Sequence, residues 1–164
     1  MIHAASASSK ENDAYQAGYN ACKTAIEKAS IDKPDILFLF ASTVYNQAEL
    51  IRGVRDAGGN APITGCSSSG EITSEGPTEK SVVIMALKSD SVHFTTGIGM
   101  QVAKDVKEAG RTIAREIERD AEKDLKAFLM FPDVLVGNGA EVVTGIQEVL
   151  GEHFPIFGGA ARDY

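Results

Sequence analysis

The sequence predicts a mixed α/β fold in which helices lie on the faces of a sheet that contains parallel and antiparallel strands. Short apolar runs of strand length alternate with segments of helical periodicity, which is typical of βαβ units with parallel strands. Two later segments, residues 82–87 and 92–100, are instead joined by the short polar turn Lys88-Ser89-Asp90. This arrangement predicts an antiparallel hairpin within the same sheet.

The chain opens with a βαβ unit. Residues 2–8 can form a strand, and residues 10–29 repeat apolar or small side chains at helical spacing, with lysines and glutamates on the other face. Asp32-Lys33-Pro34 ends that helix. Residues 36–41 form a continuous apolar run, which predicts a central strand covered on both faces.

A second unit follows directly. Asn46 and Glu49 have the spacing of a capping box for a helix that Gly58-Gly59 ends. Residues 61–66 are the next short strand, and two successive βαβ units favour parallel pairing with right-handed crossovers. Residues 67–80, rich in Ser, Gly and Thr, are predicted to form a long loop before the strand at residues 82–87.

The second half of the chain carries two more helices and two more strands. Residues 103–123 have one apolar stripe among many charged side chains, which predicts a helix with a solvated face. Residues 127–131 are a buried strand, Asn138 caps a last helix that ends at Gly151, and residues 155–157 are the last strand. No internal repeat is evident.

Composition excludes several classes of protein. The chain has 164 residues, a net charge of −7 and a pI near 5.0, so it suits one domain and no nucleic-acid partner. It has no apolar run long enough for a membrane and no signal peptide. Cys22 and Cys66 fit a reducing cytoplasm, and the scattered histidines predict no metal site.

The segment Pro62–Ile72 carries the strongest functional signal, because a short apolar strand runs into a glycine, a cysteine and three serines. It is not a nucleophile elbow, since Cys66 stands where the first glycine of Gly-x-Ser-x-Gly would be. It is not a phosphate-binding P-loop, because no Gly-Lys-Ser/Thr follows. Small polar residues in such a loop are typical of ligand contacts.

Four predicted strands end in small polar or glycine-containing segments. They are residues 41–43, 65–67, 132–133 and 158–159. In open α/β sheets, ligands lie outside the carboxyl ends of the strands. If these strands are parallel neighbours, the four segments meet at one edge, where glycines let a ligand approach the backbone and hydroxyls donate hydrogen bonds.

Three segments resemble the FIST N-terminal domain. Residues 65–72 are similar to the family's Gly-Cys-Ser/Thr-x-x-Gly-Glu-Ile hallmark, residues 131–133 with Gly137 to its second landmark, and residues 154–163 to its Pro-x-x-Gly-Gly-x-x-x-Asp segment. The resemblance implies a sensory domain of intracellular signalling proteins that binds a small molecule, with amino acids as one proposed class. It also implies a downstream signalling protein or a FIST C-terminal domain as partner, and a chain of residues 1–164 that is incomplete at its C-terminal end.

The resulting interpretation is a small-molecule-sensing domain, cytoplasmic, without a cofactor, and able to form a homo-oligomer. Glu71 is a candidate to bind a ligand ammonium group, with a surface or capping role as the alternative. Asp133 is a candidate to face a ligand, with a hydrogen bond to local backbone in a turn as the alternative. Arg162 could bind a carboxylate. The expected ligand-binding residues are Ser42, Thr43, Gly65, Cys66, Ser67, Ser68, Ser69, Gly70, Glu71, Asp133, Gly158 and Gly159.

Two other functions stay open at this point. The first is a hydrolase or transferase that uses Cys66 or one of Ser67–Ser69 as nucleophile, with residues 67–80 as a lid. Cys66 would need a nearby base, and His3 and His153 are the candidates that folding could bring close. The second is a structural interaction module with no ligand.

Overall fold

The computed structural model describes residues 1–73, 75–100, 104–121, 124–133, 135 and 138–161. The chain divides into two compact units, Met1–Phe94 and a second that begins at Thr95. The described part contains four α-helices and eight strands, paired both in parallel and in antiparallel. The predicted α/β class with a mixed sheet is therefore confirmed.

The first unit is built on a four-stranded sheet with the order β1-β6-β2-β3, in which β2 and β3 are parallel and β6 runs antiparallel to both β1 and β2. A two-stranded antiparallel hairpin, β4-β5, follows β3. The elements are β1 Ile2–Ser9, α1 Ala14–Ala29, β2 Ile36–Ser42, α2 Gln47–Gly58, β3 Ile63–Ser68, β4 Glu71–Thr73, β5 Gly76–Thr78 and β6 Val82–Ser89.

One face of this sheet forms the core with α1 and α2. Alternate residues of a strand point to the same face, so Leu37 and Leu39 of β2 lie beside their register partners Ala86 and Ile84 of β6. All four are buried in one cluster with side chains from both helices. α1 packs on β1, β6 and α2. Burial of this apolar face is the main stabilising term of the unit.

α1 and α2 cross at two glycines. A Cβ atom on Gly18 would lie 2.4 Å from the carbonyl oxygen of Leu50, and one on Gly53 would lie 2.1 Å from the carbonyl oxygen of Tyr15. Real Cβ atoms do not approach so closely, so the helix backbones touch because both positions lack a side chain.

The second unit contains α3 Val106–Asp120, β7 Phe128–Met130, α4 Gly139–Leu150 and β8 Ile156–Gly158. β7 and β8 pair in parallel, and α3 packs on α4. A second core cluster includes Ala114, Phe128, Val142 and Ile146. α3 and α4 also cross at glycines: a Cβ on Gly110 would lie 2.4 Å from the Val142 carbonyl oxygen, and one on Gly145 would lie 2.1 Å from that of Lys107.

The two units repeat the same order of helix, strand, helix and strand. Asp13 and Asp105 cap the first helix of each unit, and both accept a hydrogen bond from the N–H group three residues later. Asn46 and Asn138 cap the second helix of each unit. In each pair the second residue lies 92 positions after the first, and the crossing glycines Gly18 and Gly53 have the same 92-residue spacing to Gly110 and Gly145.

The parallel strand pairs repeat as well. The spacing between equivalent residues is one position less than 92 for the first strand of the pair and one position more for the second. Leu37 N–H donates to the Pro62 carbonyl and Phe128 N–H donates to the Pro155 carbonyl, both at 2.9 Å. These shifts are 91 and 93 positions. The residues therefore form two copies of one supersecondary unit, a repeat that was not evident from the sequence.

Two predicted elements also differ from the structure. Residues 92–100 form no strand, and the antiparallel partners of β6 are β1 and β2 instead. The predicted loop at residues 67–80 contains the end of β3 and the short hairpin β4-β5. Local patterning shows that a segment can be extended, but only a partner at the right distance in space makes it a strand.

The helix crossing makes a prediction about Gly53. A Gly53→Ala substitution would normally stabilise a helix by about 0.5–1 kcal/mol. Here the methyl group must displace the Tyr15 carbonyl, so we expect the free energy of unfolding to fall by about 1–3 kcal/mol. Urea denaturation followed by circular dichroism measures it, with Lys23→Ala on the exposed face of α1 as the control. A stabilised Gly53→Ala protein would contradict the close crossing.

Candidate functional site

The strand ends predicted to bind a ligand fall into two equivalent pairs, one in each unit. In the first unit Ser42 ends β2 and is the register partner of Ser68, which ends β3. In the second unit Asp133, just after β7, forms a parallel bridge with Ala161. The shifts of 91 and 93 positions align Ser42 with Asp133 and Ser68 with Ala161. Each pair therefore brings together the carboxyl ends of two neighbouring parallel strands.

Ser42 is held mainly by its backbone. Its N–H donates to the Ser81 carbonyl at 3.0 Å, and its own carbonyl accepts from Gln47 Nε2 at 3.2 Å. Ser42 is buried, whereas the adjacent Thr43 is exposed. These bonds fix the turn that leads from β2 into α2, in which Thr43 and Val44 are exposed to solvent.

Glu71 is a buried carboxylate that joins three strands. It is only 4% exposed, and it accepts hydrogen bonds from Ser68 Oγ at 2.6 Å and from Ser81 Oγ. Ser68 ends β3, Glu71 begins β4, and Ser81 precedes β6. A buried carboxylate is costly unless its oxygens are hydrogen-bonded, and two hydroxyl donors meet that need. We call this set of residues the Glu71 latch.

Tyr45 adds a hydrogen bond next to the Glu71 latch, to the residue before Ser81. Its hydroxyl donates to the Lys80 carbonyl at 3.0 Å, and the ring is buried. Burial, with the negative charge of Glu71 nearby, raises the pKa of the Tyr45 phenol. The hydroxyl therefore stays protonated and remains a donor at neutral pH, which keeps the segment before β6 closed over the end of β2.

Gly65 and Gly158 occupy the same position in the two units, and each is required by the sheet itself. Their φ angles are +138° and +146°. A Cβ on Gly65 would lie 1.8 Å from the Leu39 carbonyl oxygen, and one on Gly158 would lie 1.9 Å from that of Met130. These glycines allow neighbouring strand backbones to approach, which is a different reason from the predicted approach of a ligand.

Gly70 and Gly159 are open to solvent instead. A Cβ on Gly70 would make only an ordinary contact, 3.5 Å from the Thr78 carbonyl oxygen, and one on Gly159 would meet nothing within 4 Å. Both residues are exposed. Ser67 and Ser69 are half-buried beside Gly70. These are the positions at which a ligand could approach the strand ends without displacing protein atoms.

Asp133 is exposed and turns the chain after β7. Its Oδ1 accepts a hydrogen bond from Leu135 N–H at 2.9 Å, and its counterpart Ser42 makes the same kind of turn with Val44 N–H at 3.5 Å. The second strand end thus carries an exposed carboxylate where the first carries a buried hydroxyl. Arg162, the predicted carboxylate ligand, lies outside the described residues, as does Gly137.

Cys66 lies on the sheet face opposite the helices, because its register partner is Phe40 whereas Gly65 pairs with Leu39 of the core face. Cys66 is half-buried. The candidate base His3 lies in β1, which β6 and β2 separate from β3, and it pairs with Lys88 at the other end of the sheet. His3 is therefore too far away to deprotonate Cys66.

Two classes of site find no support in the part of the chain that the structure describes. No group of three or more His, Cys, Asp or Glu side chains there could hold a metal ion. Among the described helices, none has the length and apolar character needed to cross a membrane.

The family model for the FIST N domain matches residues 35–164. This range includes the strand ends of both units and begins just before β2. No curated protein matches the chain.

The Glu71 latch makes a prediction about stability. Glu71→Ala leaves the hydroxyls of Ser68 and Ser81 without their acceptor, so we expect the free energy of unfolding to fall by about 1–3 kcal/mol. Glu71→Gln should lose much less, because the amide oxygen accepts one bond and the amide N–H donates to the other hydroxyl. Thermal melting of both variants beside the exposed control Glu79→Ala measures this. Equal losses for Ala and Gln would contradict the latch.

A further prediction concerns the two thiols. Burial raises the pKa of Cys22 to about 11 from an ordinary value of 9.0, and its side chain is inaccessible. The stability that the buried neutral thiol contributes is complete below pH 9 and is lost as the pH rises through 11. The unfolding free energy of the wild type should therefore fall more than that of Cys22→Ala over this range.

Alkylation provides the matching measurement. In the folded protein at pH 8, iodoacetamide should modify Cys66, and Cys22 should react only after unfolding. Mass spectrometry of proteolytic peptides separates the two sites. Modification of Cys22 in the native state at the rate of Cys66 would show that Cys22 is not buried.

Proposed function

The chain belongs to the FIST N family, the sensory domain of signal-transduction proteins, and on that premise we propose that it binds a free amino acid at the carboxyl ends of its parallel strands. The family match covers 130 of the 164 residues, from 35 to 164. Ligands of open α/β sheets bind at this edge, which supports the choice of the strand ends over other surfaces.

Asp133 is the observation that carries the proposal. It is an exposed carboxylate just after β7, and its partner across the strand pair is Ala161, two residues after the open backbone of Gly159. A carboxylate binds an ammonium group through a charge-assisted hydrogen bond. The turn with Leu135 engages Oδ1 and thereby orients the side chain.

The start of α4 attracts a negatively charged group, whereas Asp133 attracts a positively charged one. Asn138 caps this helix eight residues after the end of β7, and the amino-terminal end of a helix attracts a carboxylate. An acid and a helix N-terminus on one strand-to-helix connection match the two charged groups of an amino acid. The first unit has the equivalent helix start at Asn46, but its strand end carries Ser42 and is closed by the Glu71 latch.

We assign the two strand ends different roles on this basis. In the first unit Ser42, Ser68 and Glu71 are bonded to one another or to neighbouring backbone, so they hold the hairpin in place. Thr43, Ser67, Ser69 and Gly70 remain the residues there that a ligand could contact. In the second unit Asp133 and Gly159 are the contact residues. Occupancy would be passed to a downstream signalling protein or a FIST C-terminal domain in the cytoplasm.

The enzyme alternative receives less support. A hydrolase or transferase that uses Cys66 needs a base, and His3 lies at the opposite end of the sheet. The serines that were candidates as nucleophiles include Ser68, whose hydroxyl donates to a buried carboxylate and helps to hold the hairpin.

The proposal is tested first by a binding screen. The protein is mixed with each of the twenty common amino acids, and saturation-transfer NMR and calorimetry measure binding at ligand concentrations up to about 1 mM, the upper end of ordinary metabolite affinities. Asp133→Asn should weaken the affinity of the amino acid that binds by about tenfold or more, because it removes the charge and keeps the turn. Asp124→Asn, an exposed carboxylate elsewhere in the second unit, should leave affinity unchanged.

Two glycine variants then locate the site. Gly159→Val places a side chain in open space and Gly70→Val places one at ordinary contact distance from the Thr78 carbonyl, so both should fold with unchanged melting temperature. Gly159→Val should abolish binding and Gly70→Val should not. The reverse result would move the site to the first unit, and no binding by any of the amino acids would refute the ligand class.

A further inference from the structure

β1 is an edge strand of the four-stranded sheet, and its outer side pairs with no strand in the described part of the chain. It runs for eight residues, Ile2–Ser9, and its register with β6 continues over all of them without a bulge. Most of its side chains are exposed, including Ile2 at 59%. Long edge strands usually carry a lysine, a proline or a bulge that prevents pairing with another chain, and β1 has none of these.

The backbone hydrogen bonds show which groups of β1 point away from the sheet. The Met1 carbonyl accepts from Asp90 N–H at 3.1 Å, and the pairs of an antiparallel ladder alternate between hydrogen-bonded and non-hydrogen-bonded. The Leu87 carbonyl agrees, since it accepts from Asp35 N–H, on the side away from its β1 partner Ala4. The N–H and C=O groups that point outward therefore belong to every second residue: Ile2, Ala4, Ser6 and Ser8.

The side chains of β1 leave room for a neighbouring strand. Ala7 is buried in the core cluster with the helices, so Ala5 shares that face and the outward-bonding residues face the other way. Apart from Ile2 and His3, every residue of β1 is Ala or Ser. The strand contains no Asp, Glu, Lys or Arg, so a second strand that approaches this edge meets neither a bulky side chain nor a like charge along it.

We propose that β1 pairs with β1 of a second copy of this chain, antiparallel and around a two-fold axis, so that the two four-stranded sheets become one. Hydrogen bonds form only where outward-bonding residues face each other, which excludes the full overlap of Ile2 with Ser9. The register that uses all the outward-bonding residues of both strands pairs Ile2 with Ser8 and Ala4 with Ser6 of the second copy.

Self-complementarity is the reason for choosing a second copy as the occupant. In this register each outward N–H of one strand has an outward C=O of the other as its acceptor. Ala5 lies on the axis opposite Ala5 of the second copy, and a methyl group there allows the strands to approach to ordinary sheet spacing. An interface with this symmetry is closed, so it gives a dimer. The dimer supplies a surface for the homo-oligomer expected from the sequence, and its formation does not require the amino acid.

A proline tests the outward hydrogen bonds without removing those of the folded chain. Ser6 N–H points outward, so Ser6→Pro leaves the bonds between β1 and β6 in place, and proline is tolerated on the free side of an edge strand. Light scattering and analytical ultracentrifugation at concentrations up to about 1 mM measure the dimer. Ser6→Pro should raise its dissociation constant by about tenfold or more, with an unchanged circular dichroism spectrum. The matched control Ser6→Thr keeps the donor and should dimerise as the wild type does.

A cross-link reads the register independently of the stability of the dimer. In a Cys66→Ser background, Ala5→Cys should form a disulfide between two copies under mild oxidation, because the Cα atoms of a non-hydrogen-bonded pair lie about 4.5 Å apart. Ala4→Cys and Ser6→Cys are the matched controls, one position to either side, and neither residue faces its own copy in this register. Non-reducing gel electrophoresis distinguishes the three variants.

Three results would overturn the proposal. The first is a wild type that stays monomeric over the whole concentration range, with no disulfide from Ala5→Cys. The second is a dimer that Ser6→Pro leaves intact, which would place the interface on another surface. The third is a disulfide from Ala4→Cys or Ser6→Cys in preference to Ala5→Cys, which would refute the register. If Ser6→Pro does not fold, the three cysteine variants decide alone.

Discussion

The structure depends on the contact of backbone with backbone at positions that have no side chain. In each unit two helices cross at a pair of glycines, and two parallel strands approach at a third. A methyl group at any of these positions would lie within about 2.5 Å of a carbonyl oxygen, which van der Waals repulsion does not allow. Because the helices are so close, both can cover the same narrow sheet with small side chains such as Ala17, Ala21 and Ala25.

The two units share this backbone arrangement but carry different polar side chains at their strand ends. In the first, the buried Glu71 carboxylate accepts hydrogen bonds from two serine hydroxyls instead of from water. These bonds hold in place the hairpin that follows β3. In the second, the position of Ser42 is taken by Asp133, an exposed carboxylate whose bridge partner is Ala161. The same supersecondary unit therefore carries a buried serine hydroxyl at one strand end and an exposed carboxylate at the equivalent position of the other.

The polar contacts between the two helices also differ from one unit to the other, although the helices cross at equivalent glycines in both. Tyr15 of α1 donates to Asp56 of α2 at 3.0 Å. At the equivalent positions of the second unit, Lys107 of α3 forms an ion pair with Glu148 of α4, and Arg111 adds a second one at 2.6 Å. The spacing of 92 residues is kept because the glycine crossing fixes which residues of the two helices face each other. The side chains at those positions differ between the two units.

The sequence by itself determined the helices, because caps and periodicity are local: Asn46, Gly59 and Asn138 mark helix ends where the structure has them. It also determined that the strands carry small polar residues at their ends. Only the tertiary structure decided which strands pair, why Gly65 is a glycine, and that the helix starts at Asn46 and Asn138 occupy equivalent places in two similar units. Those features depend on which backbones meet in space, and residues far apart in the chain carry no local signal of that contact.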